Sequence, residues 1–234
     1  MRAMILAAGR GERLRPLTDQ LPKPLIEVGG KPLIAHHLDH LARAGFEQIV
    51  VNLAWLGEKI ESALGDGSAF GLSITYSHEP PGALETAGGI IQALPLLGDE
   101  PFALISADVY CDYSLVKLRR RRLRGLGHLV LVDNPSHHPH GDFGLDHQAQ
   151  LVKGRPALTF SGIALLHPRL FDGQPPGRLA LRPVLEQAID GSQLSGEVHQ
   201  GLWSDVGTSE RLASIRQQIG SSIAMPSTTG YTQR

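Results

Sequence analysis

The chain has 234 residues, 41% of them hydrophobic, which suits one large domain with a sizeable core or at most two closely joined lobes. Its 22 Lys and Arg against 23 Asp and Glu give a formal charge of −1, so nothing general draws it to nucleic acid or to a membrane surface, and any anion site must come from a local cluster. The single cysteine, Cys111, excludes an internal disulfide and argues against a cysteine-based zinc site.

Taken in chain order, Ala3 to Ala7 forms the first apolar strand. Gly9 and Arg10 interrupt it too soon for the core of a signal peptide, and no later run approaches the roughly 20 apolar residues of a spanning helix, so a cytoplasmic location is expected. The segment behind this strand crowds glycines and cations. Gly9 and Gly11 let the backbone approach a ligand and turn its N–H groups toward anions, with Arg13, Arg15 and Lys23 supplying charge. The spacing is not that of a P-loop, because no Gly-Lys-Ser/Thr follows Gly9 at the required distance. Nor is it a dinucleotide fingerprint, whose third glycine would fall at Leu14.

Further strands are expected at Gln48 to Leu53, Leu72 to Ser77, Phe102 to Ser106 and His128 to Val132. Between them lie helical stripes: Ile34, Leu38 and Leu41, then Ile60 and Leu64, then Ile91 and Leu94. This alternation implies an α/β fold, Rossmann-like, with a mostly parallel central sheet. Asp108 follows the strand ending at Ser106 and so sits where open α/β sheets place their ligands. The run Arg119 to Arg122 with Arg124 lacks interleaved aromatic residues and reads as a solvated helix end.

After Asn134 the rhythm changes. Gly141 to Val152 reads as short strands, Ala157 to Leu166 as a longer one, Leu181 to Ile189 as a helix and Ser209 to Ile219 as a closing helix. The expected organisation is a nucleotide-binding part over 1–134, a small substrate-side lobe over 135–207, a closing helix over 208–220 and a disordered tail over 221–234. His137, His138 and His140 flank Pro139 in a loop and make a weak metal signal, lacking an element to converge them.

The pattern Gly9-x-Gly11-x-Arg13-Leu14-x-Pro16-x-Thr18 followed by Pro22-Lys23-Pro24 resembles the signature of the sugar-1-phosphate nucleotidyltransferases. The likeness continues through Leu84 to Gly89, Asp108, Phe160 to Ile163 and Trp203 to Thr208, covering nearly residues 1 to 220. It implies an enzyme that binds a nucleoside triphosphate and a sugar 1-phosphate, with Mg²⁺ held by Asp108 and Asp205. Arg13, Lys23 and Asp108 would be catalytic: Arg13 as a planar fork for the β and γ phosphates, Lys23 as a point charge at the α-phosphate or the incoming phosphate.

The nucleotide would be held by Ala8, Gly9, Gly11, Glu12, Arg13 and Lys23, with Glu79, Glu85 and Gly88 near the base. The sugar phosphate would meet Asp142, Ser161 and Gly162. The stretches around Asn52, Asn134 and Phe160 are similar to the uridylyltransferase branch that serves peptidoglycan recycling, implying UTP. A mannose-specific guanylyltransferase and a catalytically silent sugar-nucleotide-binding regulator remain open, the latter because of Glu12 and Ala107. No nucleic-acid or membrane partner is expected, and oligomeric state stays open.

Overall fold

The structure, a computed structural model, describes residues 1–80, 84–154 and 157–223. In chain order its elements are β1 (Ala3–Leu6), α1 (Leu17–Gln20), β2 (Glu27–Val28), β3 (Lys31–Pro32), α2 (Leu33–Arg43), β4 (Gln48–Leu53), α3 (Gly57–Leu64), β5 (Ser73–His78), α4 (Glu85–Leu97) and β6 (Phe102–Ser106). There follow β7 (Val109–Cys111), α5 (Leu115–Arg120), β8 (Gly127–Val132), β9 (Gly144–Leu145), β10 (Leu151–Val152), β11 (Thr159–Leu166), α6 (Leu181–Asp190), β12 (Leu194–Val198), β13 (Trp203–Asp205) and α7 (Ser209–Ile223).

Seven strands form the central sheet in the order β12-β8-β11-β6-β1-β4-β5. Four pairings are parallel (β12 with β8, β6 with β1, β1 with β4, β4 with β5), while β11 runs antiparallel to both of its neighbours. Strand alternation sends Ala3, Ile5, Ile49, Val51 and Ile105 to one face, where α2, α3 and α5 cover them. Met4, Val50, Phe102 and Leu104 go to the other, beneath α4 and α6. Each buried Val, Ile, Leu, Met or Phe among these contributes about 1.5–3 kcal/mol relative to exposure.

The stretch over 135–207 adds β11 and β12 to the main sheet, while the β9–β10 hairpin and β13, which pairs with β7, stand outside it. A third apolar cluster joins Leu14, Ile26, Val28 and Leu33 to Val206 and to Leu212, Ile215 and Ile219 of α7, clamping the N-terminal loop to the end of the chain. Helix α7 reaches Ile223, three residues past the boundary expected at 220, and the rest of the expected tail lies outside the described residues. No helix among the described residues is long and apolar enough to cross a membrane.

Candidate active site

The topology makes a crevice at one place. From β1 the chain moves outward to β4 and β5, then crosses to β6 on the other side of β1, and its crossover helix α4 lies on the opposite sheet face from α2 and α3. Ligands of open α/β sheets bind at such a reversal, beyond the carboxyl ends of the strands. Here those ends are Leu6 of β1 and Ser106 of β6, partners in register.

A hydrogen-bonded chain fixes this edge. The Ala7 N–H donates to Asn52 Oδ1 at 2.8 Å, Asn52 Nδ2 donates to Glu79 Oε1 at 2.7 Å, and the Leu84 N–H donates to Glu79 Oε2 at 3.1 Å. The ends of β1, β4 and β5 and the start of α4 are thereby tied together. Gly89 makes this arrangement feasible, since a Cβ there would come within 2.4 Å of Glu79 Oε1.

The glycine-rich loop follows β1. Gly11 has φ +69°, and a Cβ on it would press on Thr18 at 3.0 Å and Lys23 at 3.3 Å, so glycine is required for fit as well as conformation. Thr18 Oγ1 donates to the Gly11 carbonyl at 2.9 Å and holds the turn. The backbone N–H groups from Ala8 to Gly11 donate to no acceptor among the described residues, which leaves them for an anion. Lys23 is only 7% exposed, and its Nζ donates to Asp108 Oδ2 at 2.7 Å.

Two compartments result. The first, about 580 Å³, is lined by Ala8 to Arg13, Lys23, Asn52, Glu79 and Asp108. The second, about 750 Å³, is lined by His137, His138, Asp142, Arg182, Trp203 and Asp205. They share Leu6, Arg13, Glu85, Thr86, Ser106 and Asp108. Arg13 has no protein partner among the described residues and stands free at the junction. Glu85, also at the junction, has φ +58° and accepts from Arg178 Nε at 2.8 Å.

Asp108 and Asp205, far apart in sequence, meet through the antiparallel pairing of β7 with β13, in which Asp205 opposes Val109 and the Val206 N–H donates to the Asp108 carbonyl at 2.8 Å. Asp205 Oδ2 lies 3.4 Å from Arg211. Its Oδ1 is buried without a hydrogen bond, His137 Nε2 standing 3.1 Å away but out of line for one. Behind β7, His37 is buried against the Val109 carbonyl, 2.8 Å from its Nε2, and burial depresses its pKa to about 4. At the far end of this ladder Cys111, Asp112 and His199 bring ligand atoms within 4.8 Å of one another, away from both compartments; burial pushes the thiol up to about 12.

Several expected residues lie elsewhere than the sequence implied. Gly88 lines neither compartment: it is buried in α4 beneath Leu179, whose carbonyl accepts from the Gly88 N–H at 3.1 Å, and a Cβ would fall 2.1 Å from the Gly177 carbonyl oxygen. It is a packing glycine. Ser161 belongs to the second wall, but it is fully buried and its Oγ accepts from the Ile163 N–H at 3.2 Å, so the hydroxyl is not offered to a ligand. Gly162, φ +82°, forms the bulge of β11 against Ser106, where a Cβ would come within 2.8 Å.

Both Glu79 oxygens are spent on Asn52 and Leu84. Asp142 is likewise engaged, accepting from the Phe160 N–H at 2.9 Å and from Arg182 at 3.2 Å, with His138 Nε2 3.3 Å away. Glu12 is exposed at the mouth of the first compartment. Thr86 does not cap α4, which starts at Glu85 without a side-chain cap.

Asn52, Ser106, Arg182 and Trp203 line the compartments without having been candidates, and His137 turns out to face Asp205. Their roles depend on contacts across 40 or more positions, such as Arg182 with Asp142 and Trp203 Nε1 with the Ser161 carbonyl at 2.9 Å. Asn52, a polar residue one place before the end of the apolar β4, was the one signal a sequence could carry.

A glycine-rich anion loop, two cations and two carboxylates at a strand-order reversal form the site of a nucleotide-handling α/β protein, and the chain belongs to the nucleotidyl transferase family, whose model matches residues 2–149. Over 228 residues it is 51% identical to the N-acetylmuramate alpha-1-phosphate uridylyltransferase of Neisseria meningitidis serogroup B, covering 94% of this chain and 99% of that one. The protein of the same name from Caulobacter vibrioides is 34% identical, over 88% of this chain and 91% of that one. Among solved structures, HddC from Yersinia pseudotuberculosis complexed with GMP-PN shares the fold, with a TM-score of 0.76 and 21% identity over 93% of this chain and 98% of that one.

Proposed function

We propose that the chain transfers the uridylyl group of UTP to the phosphate of N-acetylmuramate α-1-phosphate, giving UDP-N-acetylmuramate and pyrophosphate, a step of peptidoglycan recycling. The observation that carries this reading is the meeting of two compartments at Arg13 and Asp108, one beneath a loop of free backbone N–H groups and one walled by polar side chains. The choice of UTP and of the muramyl sugar draws support from the two relatives that carry that name, at 51% and 34% identity.

A phosphate oxygen of the sugar attacks the α-phosphorus of UTP, forming one P–O bond as the bond to the β-phosphate oxygen breaks. Catalysis is then positioning and charge stabilisation. The N–H groups from Ala8 to Gly11 and the Arg13 fork take the triphosphate oxygens, Arg13 accompanying the charge that accumulates on departing pyrophosphate. Lys23, held by Asp108, places its charge between the α-phosphate and the incoming phosphate. Asn52 and Glu79 keep the pocket floor rigid, while Arg182 and His138 orient Asp142 beside the sugar.

The carboxylates fit a hard divalent cation: Asp205 Oδ1 is a buried oxygen without a hydrogen bond, with His137 Nε2 3.1 Å away, and the β7–β13 pairing brings its strand beside Asp108. Asp108 and Asp205 would hold Mg²⁺, which supplies charge neutralisation to the phosphates when bound. Pyrophosphate release measured with UTP and a panel of sugar 1-phosphates tests the reading. Turnover greatest with the muramyl compound supports it; turnover confined to glucose or mannose 1-phosphate, or to GTP, overturns it.

A further inference from the structure

On the far side of α5 lies a third cavity, of about 930 Å³, lined by Lys117, Arg120, Arg121, Arg122, Arg124 and His128 together with parts of β12 and the turn before β10. The arginine run is the exposed helix end that was expected, with Lys117, Arg119 and Arg120 in the last turn of α5, and it continues beyond Arg120 along the rim of this cavity. Five permanent cations meet here, and the remaining 17 Lys and Arg of the chain face 23 Asp and Glu. Glu197, beside this cavity, is already claimed by Lys117, by Arg121 at 3.2 Å and by the Tyr113 hydroxyl. Burial opposes its ionisation, but the nearby His128 imidazole and the hydrogen bonds from Lys117 and Tyr113 win and hold it well below the usual carboxylate range.

Two buried nitrogens in this wall lack hydrogen bonds. His128 is 1% exposed; its Nδ1 meets Ser195 Oγ at 2.8 Å, and its Nε2 makes no hydrogen bond, its nearest acceptor being Glu197 Oε1 at 3.5 Å. Arg121 Nε is likewise buried and unpaired. Buried polar atoms without partners are uncommon and call for a ligand or water. Arg120, Arg122 and Arg124 are exposed around the rim, with no protein partner among the described residues. Arg119, by contrast, turns away and packs its guanidinium against Gly45.

We propose that this cavity is a second anion site, distinct from the nucleotide compartment, that binds a small molecule bearing two or more phosphate groups. Planar guanidinium forks converging on one concavity match phosphate oxygens bidentately. The lining has no aromatic side chain except the His128 imidazole, so it offers no stacking platform for single-stranded nucleic acid.

The test uses inorganic tripolyphosphate and the full chain, without divalent cation, in a calorimetric titration. Wild type is expected to show two classes of site. Arg13→Ala should weaken one class and leave the other, whereas the combined reversal of Arg120, Arg122 and Arg124 to Glu should weaken the second at least tenfold and leave the first. Those three arginines are exposed and make no hydrogen bond or ion pair among the described residues, so the variant's circular dichroism should match wild type. Should it fail to fold, hydrogen exchange on wild type replaces it: tripolyphosphate should protect residues 117–124 and 194–198. Binding abolished entirely by Arg13→Ala, or no protection over those residues, overturns the proposal. So does a single-stranded oligonucleotide that binds the cavity more tightly than tripolyphosphate at equal salt.

Discussion

Lys23 Nζ and Asp108 Oδ2 stand 2.7 Å apart, joining a lysine side chain that is 9% exposed to a carboxylate that is 44% exposed. The asymmetry gives the pair its direction. The lysine is desolvated and held, while the carboxylate keeps a face toward both compartments. Replacing Lys23 by Met should lower kcat/KM for UTP by about 10²-fold, the usual loss on removing one preorganised charge from a phosphate-transfer site. Lys23→Arg should restore little, because a planar fork does not fit a channel bounded by Gly11 and Thr18. Steady-state pyrophosphate release on both variants checks this, and near-normal turnover by the Met variant would remove Lys23 from the chemistry.

The Asp205 oxygen that makes no hydrogen bond bears on metal use. Asp205→Asn should reduce turnover by about 10²-fold or more at fixed magnesium, with part of the loss recovered at higher metal concentration, and chelation should silence the wild type. Magnesium titrations of wild type and variant, run side by side, decide it. A variant with an unchanged magnesium requirement would show that Asp205 serves only Arg211 and His137.

His37 gives the protein an acid-sensitive support behind β7. Burial lowers its pKa from 6.5 to about 4, against a smaller opposing effect of the Val109 carbonyl. In the unfolded chain the ring takes up its proton near 6.5, while in the folded one it resists until about 4. The contribution is therefore fully present above about 6.5 and drains away as pH falls toward 4, at most about 3 kcal/mol. An NMR titration of the imidazole should give a midpoint near 4; an ordinary midpoint would mean the ring is solvated.

Gly162 packs closely against Ser106 in the wall of the second compartment. Alanine there must hold φ +82° and bring Cβ within 2.8 Å of Ser106. Gly162→Ala should cost about 1–3 kcal/mol of stability and also disturb Ser106, so thermal denaturation and sugar-phosphate KM should move together. Alanine at Gly9, which has open space around it, should leave stability nearly unchanged.

Much of this was legible along the chain because it is local. Ala3–Leu6, Gln48–Leu53 and Phe102–Ser106 are short, nearly continuous apolar runs, as strands covered on both faces of a sheet must be, and Asp108 could be placed by the end of such a strand. The joining of Asp108 to Asp205 could not be read from spacing, since it depends on two three-residue strands pairing across 97 positions of chain; only the family likeness supplied it. The same blindness hid His137 against Asp205 and Arg182 against Asp142, and made Gly88 look like a ligand contact when it is a point of close packing. The charge and exposure of the arginine run were legible, but the cavity that it lines together with β12 and the turn before β10 was not.

The central claim is that nucleotide and sugar phosphate occupy separate compartments that meet at Asp108. A crystal structure of the chain with UTP, Mg²⁺ and N-acetylmuramate α-1-phosphate, trapped with Lys23→Met, tests it most directly. The triphosphate should lie under Ala8 to Arg13, with one metal between Asp108 and Asp205 and the sugar ring beside His138, Asp142 and Arg182. A sugar ring found beside Asn52 and Glu79, or a triphosphate that leaves the glycine loop uncontacted, would contradict the account.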